Sequence, residues 1–381
     1  MKERQHALGD FLDKIADELN ISDTMMEKAV KSYEAVGKWI GNGIDYDVCI
    51  KPQGSMNLGT VVRPIDDSDD YDMDLVCLLR TGQNLPLSDI KSIVGDRLKA
   101  NDRYASMLEK EGKRCWTMRY DEFHMDILPC VPKEKVYIPK IATAIKLTHR
   151  EGNNQYTEKY SNPEAYHDWF VRRMLAQKEL IEKNSIYAKR KTEIDKVPTY
   201  RRRTVMQKTI QLLKRHRDIM FQKNDNNAPI SIIITTLAAL AYKGEDNVYD
   251  ALSNILKTIP DYIQITSGKY KLLNPVMSDE NFAEKWNENH AKADCFFNWL
   301  STAHKDLLEN PLKFTGLDLI ADTLKSSLGE APVKRAVNKC GDEMKSCRDD
   351  GRLYAAGLTG GLGVIQNASA IKVKGHTFFG K

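Results

Sequence analysis

Among the seven cysteines of this 381-residue chain there is no Cys-x-x-Cys pair, and a zinc site is therefore not expected. Cys77 lies inside the apolar run Leu75-Val76-Cys77-Leu78-Leu79; thiols so placed are expected to stay reduced, in a cytoplasmic protein. Long hydrophobic runs are also missing. The longest apolar stretch, Ile230 to Tyr242, is too short and too polar to span a bilayer, which leaves no membrane partner. The opening Met1-Lys2-Glu3-Arg4-Gln5-His6 carries no signal-peptide core. There is no internal repeat, no low-complexity segment and no Gly-x-Ser-x-Gly elbow, and the eight histidines are dispersed, so Ser–His–Asp catalysis has no support. A net charge of +4 does not by itself imply a nucleic-acid partner. Hydrophobic residues at 41% and charged ones at 29% describe an ordinary globular chain, long enough for two domains.

What the chain does contain is concentrated in residues 53 to 74. Gln53-Gly54-Ser55-Met56-Asn57-Leu58-Gly59-Thr60 leads through an acidic linker to Tyr71-Asp72-Met73-Asp74-Leu75-Val76. The second string alternates as a strand, so Asp72 and Asp74 share one face while Tyr71, Met73 and Leu75 share the other. Backbone N–H groups and a hydroxyl at Gly54-Ser55 can hold an anion just ahead of that pair. A phosphate cradle followed by paired carboxylates points to metal-assisted phosphoryl chemistry. The intervening Asp66-Asp67-Ser68-Asp69-Asp70 lacks alternation and reads as a solvated loop with no metal role.

Along the chain, apolar spacings of three and four predict a helix over 22–40, closed by Gly41-Asn42-Gly43. A strand through Tyr46, Val48 and Ile50 delivers Gly54-Ser55, and a helix is predicted over 87–101. Residues 115–128 read as a hairpin turning at Asp121-Glu122 and ended by Pro129 and Pro132. Its returning arm places Asp126 on a face with His124 and Leu128. Ser161 and Glu164 are spaced as a capping box with Pro163 in the first turn, opening a helix to about 183. Residues 184–198 read as a linker, with a domain boundary at Pro198. Beyond it the pattern is helical: around 205–219, 230–242, 248–259, 279–307, 316–328 and 331–347, then a glycine-rich tail alternating weakly through Ile371 and Val373.

Asp126 joins Asp72 and Asp74 to make three carboxylates on neighbouring strands. Such a set suits Mg²⁺, which takes hard oxygen ligands and leaves positions for water and substrate phosphates. Two ions held there would lower the pKa of an attacking hydroxyl and stabilise a leaving pyrophosphate, with Asp126 nearer the hydroxyl. The segment 189–217 carries eleven Lys and Arg against Glu193 and Asp195. Most of it reads as a solvated helix face. A triphosphate needs cations beyond Mg²⁺, and Lys214 with Ser231 could supply them; a nucleic-acid backbone is the other candidate, although stacking aromatics are not interleaved. His124 and His216 read as hydrogen-bonded surface or hairpin residues rather than ligands.

Gln53-Gly54-Ser55, Tyr71-Asp72-Met73-Asp74-Leu75 and Met125-Asp126-Ile127-Leu128-Pro129 together resemble the nucleotidyltransferases of the DNA polymerase β-like superfamily. Gln211 through Asp218, Pro229 through Thr236, and Asn274-Pro275-Val276 with Glu280 through Trp286 are similar to the bacterial CD-NTases. These relatives of cyclic GMP–AMP synthase and oligoadenylate synthase make nucleotide second messengers in anti-phage CBASS signalling. The resemblance covers residues 45 to 330. It implies an α+β, two-lobed fold: a mixed-sheet catalytic lobe (1–198) with a spine helix at 22–40, a helical lobe (199–381), and nucleotides in the cleft between. It implies two Mg²⁺ ions on Asp72, Asp74 and Asp126, and a triphosphate held by Gln53, Gly54, Ser55, Lys214 and Ser231. The expected product is a cyclic di- or trinucleotide made from ribonucleoside triphosphates including ATP. With no zinc-ribbon insertion, activation by double-stranded nucleic acid is not expected. A regulatory protein partner encoded alongside is the remaining candidate activator, and the oligomeric state is not legible. The rival reading is a templateless transferase acting on an RNA or protein acceptor.

Overall fold

The computed structural model describes residues 2–66, 70–133, 143–152, 155–175, 192–198, 202–223, 226–356, 362–363 and 370–373. Helix α1 (Lys2–Glu18) buries Leu8, Phe11, Leu12 and Ile15 along one stripe, and α2 (Asp23–Gly41) buries Ala29, Tyr33, Val36 and Ile40. The Ser22 side chain accepts from the Met25 N–H and so fixes the start of α2.

A seven-stranded mixed sheet follows. Strand β1 (Val48–Gln53) runs directly into the short helix α3 (Gly54–Leu58), and β2 (Tyr71–Leu79) returns antiparallel to it. Helices α4 (Leu87–Lys99) and α5 (Asp102–Met107) lead to the hairpin β3 (Trp116–Arg119) and β4 (Phe123–Pro132). Then come β5 (Ile145–Arg150), β6 (Tyr156–Ser161), α6 (Pro163–Met174) and β7 (Thr192–Ile194). The order is β6-β5-β4-β2-β1-β7, with β3 also on β4; β2 and β4 run parallel, as do β1 and β7. Tyr71, Met73, Leu75, Cys77, Met125 and Ile127 face a core closed by α2 and α4. The alternating positions Asp72, Asp74 and Asp126 lie on the opposite face.

The second half holds α7 (Val205–Phe221), α8 (Ser231–Ala241) and α9 (Val248–Thr258). Two hairpins follow, β8 (Gln264–Thr266) with β9 (Lys269–Lys271) and β10 (Leu273–Asn274) with β11 (Met277–Asn281). Next are α10 (Glu284–Glu288), α11 (Ala291–His304), α12 (Leu317–Leu328) and α13 (Glu330–Asp349). A small sheet of β12 (Tyr354–Ala356), β13 (Leu362–Gly363) and β14 (Ala370–Lys372) ends the described chain. The helical core takes in Phe296, Trp299, Leu237 and Leu252, and it also buries Leu8, Phe11, Leu12 and Ile15 of α1 and Tyr166 and Phe170 of α6. Helix α2 instead packs against β1, β7 and α4.

Several expectations are corrected. Strand β4 continues through Pro129 to Pro132. Pairing with β3 stops at Ile127 and pairing with β5 begins at Cys130, so Pro129 falls in the gap along that edge, where its missing N–H is not needed. Helix α6 is capped by Asn162, not Ser161: Asn162 Oδ1 accepts from the Ala165 N–H at 3.1 Å. Pro163 as the first helical residue makes its predecessor the cap, and Glu164 pairs with Lys51 instead. The expected extension of this helix to 183 lies outside the described residues, as do 184–191 of the expected linker. Its end, Thr192–Ile194, is strand β7, tied down by the Tyr33 hydroxyl, which donates to Asp195 O at 2.8 Å. Residues 279–281 belong to β11 rather than to a helix.

The largest correction concerns α7. Its cations were expected on a solvated face, yet every residue from Met206 to His216 is buried. The charges are buried because each meets a partner. Lys208 bridges Asp13 and Asp17 of α1 at 2.8 and 2.9 Å, and His216 meets Asp306 at 3.3 Å. The remaining polar side chains grip one extended segment. Gln207 Nε2 donates to Leu58 O at 2.9 Å and Gln211 Nε2 to Val61 O at 2.7 Å. Lys214 Nζ donates to Thr60 O at 3.2 Å, and Arg215 to the carbonyls of Arg63 and Pro64. The α7 part of the expected basic segment is therefore an internal fastening, while Lys196 and Arg202 are exposed and Lys189, Arg190, Lys191 and Arg201 lie outside the described residues.

Gln211→Ala leaves the buried Val61 carbonyl without its donor, and stability should fall by about 1–3 kcal/mol. Denaturant unfolding of the purified variant measures this, and an unchanged midpoint would argue against the grip.

Candidate active site

Strand register assembles the site. Gln53 lies opposite Asp74 across β1–β2, Asp74 opposite Asp126 across β2–β4, and Asp126 opposite Thr117 across β4–β3. These four form one row on the face away from the sheet core. The next row holds Asp72, His124 and Arg119. Directly paired side chains stand about 4.5–5.5 Å apart at Cβ, so the carboxylates are neighbours by construction.

Gly54 follows Gln53 with φ +64°, and a Cβ there would sit 1.9 Å from Asp74 Oδ2. The glycine is required twice over, by its backbone and by the carboxylate against it. Ser55 lies in the first turn of α3, and its carbonyl accepts from the Thr60 N–H at 2.9 Å. Thr60 in turn receives Lys214 Nζ on its carbonyl and, at 3.1 Å, on its hydroxyl. Lys214 of the helical part thus reaches the far side of the Gly54-Ser55 turn. Ser231, at the first position of α8, is exposed and accepts from Arg217 Nη2 at 3.1 Å.

The electrostatics are those of crowded like charges facing a buried cation. Burial, then Asp72 and Asp126, push the Asp74 carboxyl up to about 7. Asp72 reaches solvent, yet desolvation by the cleft walls and then Asp126 raise it too, with His124, Lys214 and Arg217 pulling back. Burial, then Arg217, bring the Lys214 ammonium down to about 8, against the pull of Asp218, Asp74 and Asp72. Among the described residues no three His, Cys, Asp or Glu side chains already converge as a closed metal cage. The donor set nonetheless suits a hard divalent cation: three carboxylates on adjacent positions, two of them pushed toward the neutral form by burial and then by neighbouring carboxylates.

Three neighbours of the site carry no assigned role in the sequence expectations. The Thr117 hydroxyl donates to Asp126 Oδ1 at 2.5 Å; a turn at Asp121-Glu122 already implies the pairing of 117 with 126, so the signal was present. Thr60 and Arg217 have no such signal, because their positions depend on how α7 docks. His124 lies between Asp70 and Glu109, at 3.4 and 3.5 Å, beside the carboxylates, and His216 is buried rather than at the surface. Of the acidic run, Asp67, Ser68 and Asp69 lie outside the described residues.

Two outcomes follow for this geometry. Gly54→Ala should displace the Asp74 carboxylate and lower turnover by two or more orders of magnitude, roughly the loss from misplacing a reacting group by about 1 Å; wild-type activity in that variant would contradict the packing. The raised Asp74 carboxyl also sets a pH dependence. Its folded value of about 7 exceeds the ordinary 3.8, so its contribution to stability falls as pH rises between those values and is flat above. Magnesium should therefore raise the melting temperature little in acid and progressively more up to about pH 7, an increment that Asp74→Asn abolishes. Thermal melts across pH, with and without Mg²⁺, read it out.

Residues 48–129 match the family described as cyclic GMP-AMP synthase DncV-like, nucleotidyltransferase domain. A c-di-GMP synthase of Roseivirga ehrenbergii is 27% identical over 383 residues, covering 98% of this chain and 97% of that protein. The cyclic dinucleotide synthase CdnG of Bradyrhizobium diazoefficiens is 24% identical, over 97% of this chain and 94% of its own length. The solved structure of the CD-NTase CdnG of Bradyrhizobium diazoefficiens in complex with GTP superposes with a TM-score of 0.65 at 20% identity, over 88% of this chain and 99% of that one. The sheet, the Gly54 turn and its row of carboxylates thus lie in a segment matching a DncV-like nucleotidyltransferase domain, and over nearly its whole length the chain is similar to bacterial cyclic dinucleotide synthases and shares the fold of the CD-NTases.

Proposed function

We propose that this enzyme joins two ribonucleoside triphosphates into a cyclic dinucleotide and releases pyrophosphate. The carrying observation is the Gln53–Asp74–Asp126–Thr117 row faced across the cleft by Lys214. Asp72, Asp74 and Asp126 would hold two Mg²⁺ ions, which when bound supply charge neutralisation and a more acidic attacking hydroxyl. Gln53, Gly54 and Ser55 would cradle the donor's phosphates from the sheet side, and Lys214 and Ser231 from the helical side. With Oδ1 of Asp126 engaged by Thr117, its other oxygen is the one to accept the hydroxyl proton. Fixing both nucleotides for in-line attack supplies much of the remaining acceleration.

The names of the relatives favour guanine: one is called a c-di-GMP synthase, and the Bradyrhizobium structure holds GTP. That places GTP ahead of the ATP expected from the sequence. Division into a catalytic lobe to 198 and a helical lobe beyond, a cytoplasmic location, a role in anti-phage signalling and a regulatory protein partner remain part of the proposal, supported by the family. Burial of Lys208, Lys214 and Arg215 within α7 supports the reading that nucleic-acid activation, or a plain RNA-binding role, is not what this helix serves.

Purified enzyme with Mg²⁺ and all four nucleotides should yield a guanine-containing cyclic dinucleotide by mass spectrometry. Asp72→Asn and Asp74→Asn should each abolish it while the circular dichroism spectrum is kept. Product that forms only when an RNA or protein acceptor is added would favour the templateless transferase instead.

A further inference from the structure

Lys214, Arg217 and the N-terminus of α8 bring three positive ends to one corner of the cleft. Lys214 and Arg217 stand three residues apart on α7, on one helical face. Arg217 Nε donates to Asp218 Oδ1 at 2.5 Å, one terminal nitrogen to Pro229 O, and the other to Ser231 Oγ at 3.1 Å. Ser231 opens α8, an 11-residue helix that no side chain caps, so the guanidinium sits where a helix dipole repels cations. It also repels the Lys214 ammonium, whose lowered pKa names Arg217 directly after burial. Asp218 is the one carboxylate hydrogen-bonded to this guanidinium among the described residues. Like charges gathered at a helix N-terminus cost stability unless an anion joins them.

We infer that Arg217 is a third cation of the phosphate site, its planar fork taking the two terminal phosphates of the donor and holding them as they leave as pyrophosphate. This rests on the nucleotidyltransferase reading and goes beyond it, because neither Lys214 nor Ser231 supplies a fork. Three of the five guanidinium N–H donors are spent on Asp218, Pro229 and Ser231, and their anchoring keeps the group 15% exposed at its rim. Among the described residues the two others meet no partner and are available to a bidentate anion. Ser231 accepts from Arg217 and keeps its own O–H to donate, so the serine and the arginine act on the same anion. Arg217 stays charged at any working pH, whereas the Lys214 ammonium is weakened by burial and by Arg217. Division of labour follows: Lys214 is fixed to Thr60 deep in the cleft, and Arg217 meets the outer phosphates.

The test is the affinity for inorganic pyrophosphate, measured with Mg²⁺ by calorimetry and by the rise in melting temperature, neither of which needs turnover. R217Q should weaken binding by about tenfold to a hundredfold. R217K, which keeps a charge but loses the fork, should weaken it several-fold. The donor KM should rise in both. Pyrophosphate affinity within twofold of wild type in both variants overturns the role of Arg217, whatever happens to their basal stability. If R217Q fails to fold, R217K decides alone, and wild-type affinity in it overturns the proposal. A wild-type protein that binds no pyrophosphate sinks the nucleotidyltransferase reading, and this inference with it.

Discussion

Much of this molecule hangs on the hold that α7 keeps on the extended segment from Leu58 to Pro64. Four side chains of one helix, Gln207, Gln211, Lys214 and Arg215, give their N–H groups to successive carbonyls of a stretch that joins no sheet. Without them the carbonyls of Leu58, Thr60 and Val61 would be buried and unpaired, and each would cost about 1–3 kcal/mol. The segment connects the Gly54-Ser55 turn to the carboxylate strand. Fixing it to α7 therefore fixes where the Gly54-Ser55 turn and the carboxylates on one side stand relative to Lys214 on the other. It also explains how a helix so rich in charge can be buried along most of its length: its polar atoms serve as a template for a neighbouring backbone rather than for water.

The cleft built on that fastening is electrostatically unfinished. Three carboxylates crowd one wall, and a lysine and an arginine crowd the other. Burial, and then like-charged neighbours, shift both walls toward neutrality, Asp74 upward and Lys214 downward. A bare carboxylate wall wants a divalent cation, and a bare cationic wall wants phosphate. The metal–nucleotide complex of the proposed reaction would carry both in one ligand. The walls cannot quench one another across the cleft, since Lys214 is tethered to Thr60 and Asp74 to its strand. The protein spends some stability on holding that arrangement ready, which is the usual basis of electrostatic preorganisation.

The carboxylate strand was legible because period-two alternation makes Asp72 and Asp74 share a face whatever the rest of the chain does. The hairpin register was legible too, and with it the proximity of Asp126. Less could be read where a choice depended on tertiary contact. Pro129 reads as a terminator until the gap between β3 and β5 is seen, and Ser161 reads as a cap until Asn162 takes the role beside Pro163. The basic face of α7 was misjudged for the same reason. A lysine is solvated unless an aspartate stands nearby, and Asp13 and Asp17 lie almost two hundred residues away in sequence from Lys208. Local rules cannot see such partners. Thr60 and Arg217 escaped because nothing in their immediate neighbours marks them.

The placement of α1 bears on how the chain is made. Its apolar stripe, Leu8, Phe11, Leu12 and Ile15, is buried against α7, α9 and α13, yet α13 begins only at Glu330. At about 5–20 residues per second, synthesis leaves that stripe without its final partners for tens of seconds. Strand β7 adds to the delay, since β1 waits for residues beyond 190 before its outer edge is paired. Helix α1, made before its partners α7, α9 and α13, is thus among the last to be covered, and a nascent chain of this architecture would be a natural client for a chaperone that shields short amphipathic helices.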